Sequence, residues 1–203
     1  MNFNAVSIDC PNMIQFAYEL GMQNKQPAIW TQLQSDCCST GGITCTSQRV
    51  TQIDWSSMEL NGTINGTAIP PSLTELSLYS NAVIGNIPKV LPSSLVYLTL
   101  ARNLLTGSIP SALPSGLLEL YLDGNQMNGD LPSFPPTLQN LILGYPGNPG
   151  NHFTGSLKLN RPIEVYINYN WIADVVIQDS SQINPDRVSY PTIHCLGIQI
   201  LLD

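Results

Sequence analysis

Leu73-Thr-Glu-Leu-Ser-Leu-Tyr-Ser-Asn81 is followed 22 residues later by Leu95-Val-Tyr-Leu-Thr-Leu-Ala-Arg-Asn103, and after another 22 by Leu117-Leu-Glu-Leu-Tyr-Leu-Asp-Gly-Asn125. A fourth segment, Leu138-Gln-Asn-Leu-Ile-Leu143, begins 21 residues further on. The first three share the pattern L-x-x-L-x-L-x-x-N, and the fourth its first six positions. A fixed period of this length marks a repeat architecture in which each copy forms one turn of a stacked coil. Leucines two residues apart fall on one face of a short strand. No turn can bury that face alone, so neighbours stack and their strands align in a parallel sheet. The asparagine suits the tight bend after the strand, where its amide can satisfy buried backbone groups of neighbouring turns.

A second pattern follows each asparagine: Val83-Ile-Gly85-Asn-Ile87-Pro88, Leu105-Thr-Gly107-Ser-Ile109-Pro110 and Met127-Asn-Gly129-Asp-Leu131-Pro132. Glycine permits a bend, the next aliphatic residue points inward, and proline fixes an extended return. Weaker copies flank the strong ones. Val50-x-x-Ile53-x-Trp55 starts the series, Val165-Tyr-Ile167 continues it, and Tyr190-x-x-Ile193-x-Cys195 fits loosely at the end. Between Leu143 and Asn151 the chain carries five extra residues relative to the other copies, which predicts a bulging loop.

Composition narrows the function. Charged residues are 10% of the chain, against about a quarter in an ordinary soluble domain. Its polar surface is therefore built from Ser, Thr, Asn and Gln, as is common outside the cell. Net charge is −7, and the 7 Lys and Arg form no patch. That argues against nucleic acid and anionic membrane surfaces as partners. There is no apolar run of membrane-spanning length. Met1 to Asp9 has neither the basic nor the apolar region of a signal peptide, so the expected extracellular location rests on other features.

The repeat resembles the extracellular leucine-rich-repeat family of plant receptor ectodomains and polygalacturonase-inhibiting proteins, whose signature contains L-x-G-x-I-P. Secreted fungal and protist repeat proteins look similar, and the Leu91-Pro-Ser-Ser-Leu95 joint is closer to those. The likeness covers residues 5–200. It implies an α/β repeat solenoid: a right-handed arc with a parallel β-sheet on the concave face and short Pro-rich returns on the convex side. A helical, disulfide-bonded cap over residues 1–48 would precede six to seven repeats over 49–203, the last acting as a cap.

The cap has its own signature. The family's cap ends in C-C-x-W-x-G-V-x-C, and here the chain reads Cys37-Cys38-Ser-Thr40-Gly-Gly42-Ile43-Thr-Cys45. The spacing is kept, with Thr40 for Trp and Ile43 for Val. Asp9-Cys10-Pro11 opens a helix expected to run through Leu20 and end at Gly21. Trp30 stands where the family places a core tryptophan. Four cysteines permit three pairings; the resemblance implies Cys10 with Cys37 and Cys38 with Cys45. Such bridges would hold a small cap in place and imply an oxidising compartment. A metal site is a poor alternative, because the sequence lacks a second C-x-x-C.

Nothing in the sequence assembles a catalytic site. His152 and His194 lie in no nucleophile motif, and no phosphate-binding glycine loop is present. No enzyme activity, cofactor or metal is expected. Two sequons, Asn61-Gly-Thr63 and Asn65-Gly-Thr67, fall in the first return and are candidate N-glycan acceptors. The informative residues are those between the leucines, which point outward on the concave face. They include Tyr79, Tyr97, Tyr121, Tyr145, Tyr166 and Tyr169, with Asp54, Glu75, Glu119, Asp123 and Glu164, against Arg102 alone. Tyrosine favours strands in any case. It also offers broad apolar area with a hydroxyl handle, which suits a protein or polysaccharide ligand. The expected function is therefore presentation of a Tyr- and acid-rich concave surface. The alternative is head-to-tail self-assembly into an extracellular filament, sheath or wall component. It comes from the apolar end Ile198-Gln-Ile200-Leu201-Leu202-Asp203 and from Cys195, which has no evident partner and reads as a buried thiol.

Overall fold

The computed structural model describes residues 7–146, 151–160, 163–168, 170–177, 193–194 and 199–202. Tyr169, Cys195 and the middle of the inserted loop lie outside the described residues. Among the described residues three α-helices come first, α1 (Cys10–Glu19), α2 (Met22–Lys25) and α3 (Pro27–Ser35), followed by a 3-10 turn at Cys37–Ser39. Fifteen short strands follow among the described residues: β1 (Ile43–Thr46), β2 (Arg49–Asp54), β3 (Glu75–Ser77), β4 (Ile84–Gly85), β5 (Tyr97–Thr99), β6 (Leu104–Leu105), β7 (Glu119–Tyr121), β8 (Asn128–Asp130), β9 (Asn140–Gly144), β10 (His152–Thr154), β11 (Ser156–Leu159), β12 (Glu164–Ile167), β13 (Asp174–Ile177), β14 (Ile193–His194) and β15 (Gln199–Leu202).

One sheet runs the length of the molecule in the order β1-β2-β3-β5-β7-β9-β12-β14. From β2 onward its strands are parallel, and the repeat sets their register. Ile53, Leu76, Leu98, Leu120, Leu141, Val165 and Ile193 occupy one continuous row. Trp55, Leu78, Leu100, Leu122 and Leu143 make a parallel buried column, each at most 1% exposed. Burying one such side chain is worth about 1.5–3 kcal/mol, so stacking of turns supplies most of the driving force.

The bends need polar satisfaction, and asparagine supplies it. The Asn103 amide donates to the carbonyls of Leu78 (2.8 Å) and Leu100 (3.0 Å), and its oxygen accepts from the N–H of Val83 (2.9 Å). Asn125 repeats this with Leu100, Leu122 and Leu105. Asn81 does so one turn earlier, and Asn170 near the far end of the described coil. Asn151 holds the same place despite the five-residue insertion before it, donating to Leu122 and Leu143 and accepting from Met127. The bonding pattern is therefore intact on the far side of the insertion, while the bulge expected of residues 147–150 lies outside the described residues.

The returns contain more order than the sequence reading expects. Gly107 takes a left-handed conformation (φ 73°), and Ile87 and Ile109 turn inward as anticipated. Around these glycines the returns also pair with one another: β4 with β6, β8 with β10, and β11 with β13 and β15. These small parallel ladders close a second side of the coil. Among the described residues no return contains a helix, so helix is confined to the cap. None of those helices is long and apolar enough to cross a membrane.

The cap packs on the front turn. Cys10 is bonded to Cys37 and Cys38 to Cys45. Phe16 of α1 stacks on Trp55 with ring centroids 5.8 Å apart. Trp55, not Trp30, is the fully buried tryptophan; Trp30 is partly exposed beside Tyr18. Trp55 ends the first strand and faces the cap directly, whereas α3 lies on the outside. Gly62 lets the first return close on α1, since a Cβ there would stand 1.7 Å from the Glu19 carbonyl oxygen. β1 folds back antiparallel on β2 and covers the front edge of the sheet. An uncovered edge would present unpaired backbone groups to other chains.

Asp9 locks the cap to the repeats. Its buried carboxylate accepts from Arg49 Nε (2.9 Å), the Val50 N–H (2.9 Å) and Ser72 Oγ (3.2 Å). Burial disfavours its charge, but the bonds from Arg49, Val50 and Ser72 outweigh that and hold the carboxyl below its usual range. A lowered pKa contributes stability above the unfolded value, about 3.9, and loses it as pH falls through the folded value. Asp9→Asn is therefore expected to be less stable than the native chain by about 2 kcal/mol at neutral pH. The gap should stay constant down to about pH 5 and shrink below about pH 4 in denaturant titrations. A gap independent of pH would contradict the charged lock. Separately, Asn125→Ala leaves the Leu105 N–H unpaired inside the bend and takes one of two amide donors from each of the Leu100 and Leu122 carbonyls. It should cost about 3 kcal/mol and lower the thermal midpoint by about 6–12 °C. A loss under about 0.5 kcal/mol, typical of a surface substitution, would show that the bends do not depend on it.

Candidate functional site

The register that buries the leucines also sorts the outward residues of the concave sheet into rows. One row reads Gln52, Glu75, Tyr97, Glu119, Asn140, Glu164 across successive strands. The next reads Asp54, Ser77, Thr99, Tyr121, Ile142, Tyr166. Tyr79, Asp123 and Tyr145 lie just beyond the ends of their strands.

Aromatic rings meet in pairs along this face. Tyr97 and Tyr121 contact edge to face with centroids 5.6 Å apart, and Tyr145 and Tyr166 lie 5.1 Å apart. Arg102 places its guanidinium 5.5 Å from the centre of the Tyr79 ring, within reach of a cation–π contact. A cavity of about 420 Å³ runs between these groups, lined by Tyr79, Tyr97, Tyr121, Tyr145, Arg102 and Asp123 with Ser56, Ser77, Thr99, Ala101 and Ile142. A second, of about 360 Å³, lies toward the cap against Gly42, Thr44, Gln52, Asp54, Glu75 and Tyr97. Ser56, Ser77, Thr99 and Ile142 were not singled out in the sequence. Ser77, Thr99 and Ile142 lie between the leucines and Ser56 just after Trp55, positions that were readable, but their chemistry is ordinary. Asp123 is only 7% exposed and forms part of a wall rather than a projecting charge.

Acid–tyrosine contacts recur. Tyr121 donates its hydroxyl to the Glu119 carboxylate, and Tyr166 donates to Glu164 at 3.1 Å. Burial raises the pKa of Tyr121, and the bond to Glu119 raises it further. Burial also raises Tyr97, helped by the carboxylates of Glu119, Asp54 and Glu75. Tyr166 is raised chiefly by its bond to Glu164.

The sequons lie on the first return. Asn61 is exposed. The Asn65 amide donates to Glu19 (2.9 Å), and its oxygen accepts from the N–H and hydroxyl of Thr67. At the far end β15 pairs with β13, while Cys195 is outside the described residues.

The Leucine Rich Repeat family model matches residues 94–115. The chain carries the leucine-rich repeat and folds as a leucine-rich-repeat solenoid. Over 81 residues, 39% of its length, it is 35% identical to a leucine-rich-repeat receptor-like serine/threonine-protein kinase of Arabidopsis thaliana. That match spans only 7% of the kinase. Among solved structures it resembles the leucine-rich-repeat ectodomain of the Arabidopsis receptor kinase SOBIR1 (TM-score 0.68, 23% identity, covering 84% of this chain and 99% of that one). It also resembles the Arabidopsis BIR3–SERK2 complex structure (TM-score 0.60, 28% identity, covering 71% of this chain and 82% of that one). These likenesses agree with the solenoid and with the plant-receptor resemblance of its repeat.

Replacing Glu119 by Gln removes the negative charge that holds the Tyr121 proton and leaves only a weaker, neutral amide acceptor. Tyr121 should then ionise at lower pH, closer to the usual value of about 10, in an absorbance- or NMR-monitored titration. An unchanged Tyr121 titration would refute the pairing.

Proposed function

We propose that this leucine-rich-repeat chain is a non-enzymatic extracellular recognition module whose concave face binds a protein or polysaccharide ligand. The observation that carries this reading is the Tyr97–Tyr121 pair opening onto the cavity of about 420 Å³. Clefts lined by aromatic rings with a few polar groups at the walls are the usual form of a ligand site. Tyrosine rings give contact area at little entropic cost, and the Ser, Thr, Asp and Arg groups supply directional bonds. The Arabidopsis structure that includes SERK2 is a complex, which favours a protein partner here. Two disulfides and the ectodomain relatives favour an extracellular setting. In this reading residues 1–48 close the front of the coil and residues 49–203 carry the recognition face. Asn61 and Asn65 would bear N-glycans on a return, apart from the concave rows.

The test compares the native chain with Tyr97→Ala/Tyr121→Ala against panels of plant and fungal wall oligosaccharides and extracellular peptides. Any ligand of the native chain should bind the variant at least about tenfold more weakly, a loss of about 1.4 kcal/mol. The variant should keep its circular dichroism spectrum and cooperative unfolding. A ligand that binds both proteins equally would rule out this face as the site.

A further inference from the structure

Tyr97 stands between two glutamates. Its row neighbours are Glu75 on β3 and Glu119 on β7, each one strand away, about 4.8 Å. Asp54 lines the same cavity of about 360 Å³ as Glu75 and Tyr97. Neutral donors hold all three carboxylates. Glu75 accepts from Gln52 Nε2 (2.8 Å), Glu119 from the Tyr121 hydroxyl, and Asp54 from the N–H (3.1 Å) and hydroxyl (2.6 Å) of Ser56. Among the described residues the one ion pair is Arg49 with Asp9, so Arg49 is already committed at the cap. Glu75 and Glu119 stand two strands apart, about 9.6 Å, and Asp54 is one strand from Glu75, so like charges at about a Debye length repel along the row, and the described residues set no cation among them. Among the described residues no group of acids is close enough together to hold a metal ion. The spacing instead suits a larger, flat organic cation. The same face already shows the pairing it would make: Arg102 lies over the ring of Tyr79.

We propose that the Glu75–Tyr97–Glu119 row, with Asp54 at the cavity wall, seats an arginine or lysine side chain of a basic peptide ligand. This rests on the reading of the concave face as a recognition surface and names its ligand class. A guanidinium fits best, because it is planar, stacks on a tyrosine ring and offers donors on its edges to flanking carboxylates. The Tyr97 ring supplies a face for the cation, Glu75 and Asp54 meet it at the cavity, Glu119 adds negative charge from the next strand, and the cavity takes the aliphatic stem.

The test uses the full chain with hexaarginine as probe, by calorimetry at low and physiological salt. Two variants each remove two negative charges: Glu75→Gln/Glu119→Gln in the row, and Glu59→Gln/Asp130→Asn in the bends and returns. Hexaarginine should bind the native chain, bind the row variant at least about tenfold more weakly, and bind the charge-matched control within about twofold of native. Equal weakening in both variants would reduce the effect to net charge and overturn the proposal. So would tighter binding of a glucosamine hexamer than of hexaarginine, since the cation would then be an amino sugar. If hexaarginine fails to bind while an oligosaccharide does so through Tyr97 and Tyr121, the cation seat is wrong and the recognition face stands. If Tyr97→Ala/Tyr121→Ala affects no ligand, both readings fall. Should the row variant misfold, Tyr97→Leu removes the ring while keeping an apolar strand residue, and the same tenfold loss is required.

Discussion

Each turn of this coil must bury the backbone of a tight bend, and the asparagine amide makes that affordable. An amide carries both donors and an acceptor, so one side chain serves carbonyls of its own and the preceding turn together with an N–H of the preceding turn. Asn81, Asn103, Asn125, Asn151 and Asn170 do this in series. No apolar residue could substitute, because unpaired polar groups in the interior cost more than packing returns. The series also fixes each turn relative to the next. That fixes the strand register, and the register sorts the concave residues into rows. Asn151 shows the strength of the constraint: the chain tolerates five extra residues, provided they end on an asparagine.

A coil of this kind has two ends that stacking cannot cover. At the front the solution is compound. Phe16 covers Trp55, β1 covers the edge of β2, and the Asp9 carboxylate ties α1 to β2 and to Ser72. The disulfides keep the cap compact enough to present these contacts. Inward positions are committed to packing and bends to asparagine, leaving the outward strand positions free of both demands, and tyrosines and acids concentrate there.

Much of this was legible in the chain. Leucine spacing gave the parallel sheet and its inward row, the asparagine gave the bends, and the paired cysteines with their neighbours gave the cap through its resemblance to a known family. The concave tyrosines were also readable, because a period of two assigns every second residue to one face. The partners of those tyrosines were not. That Tyr97 meets Tyr121 edge to face, or that Glu119 accepts from Tyr121, depends on how neighbouring turns stack. Trp30 shows the same limit: its place in the motif predicted a core residue, but the packing of α3 left it only partly buried against the core and gave the interior to Trp55.

The sequence by itself determined the repeat, the identity of the buried columns and which residues face the concave side, since these follow from local periodicity. Only the tertiary structure decided the paired ladders of the returns, the lock at Asp9 and the grouping of Glu75, Tyr97, Glu119 and Asp54. Those residues lie about one turn apart or more along the chain. Their meeting is set by the lateral spacing of stacked strands, a distance no single segment encodes.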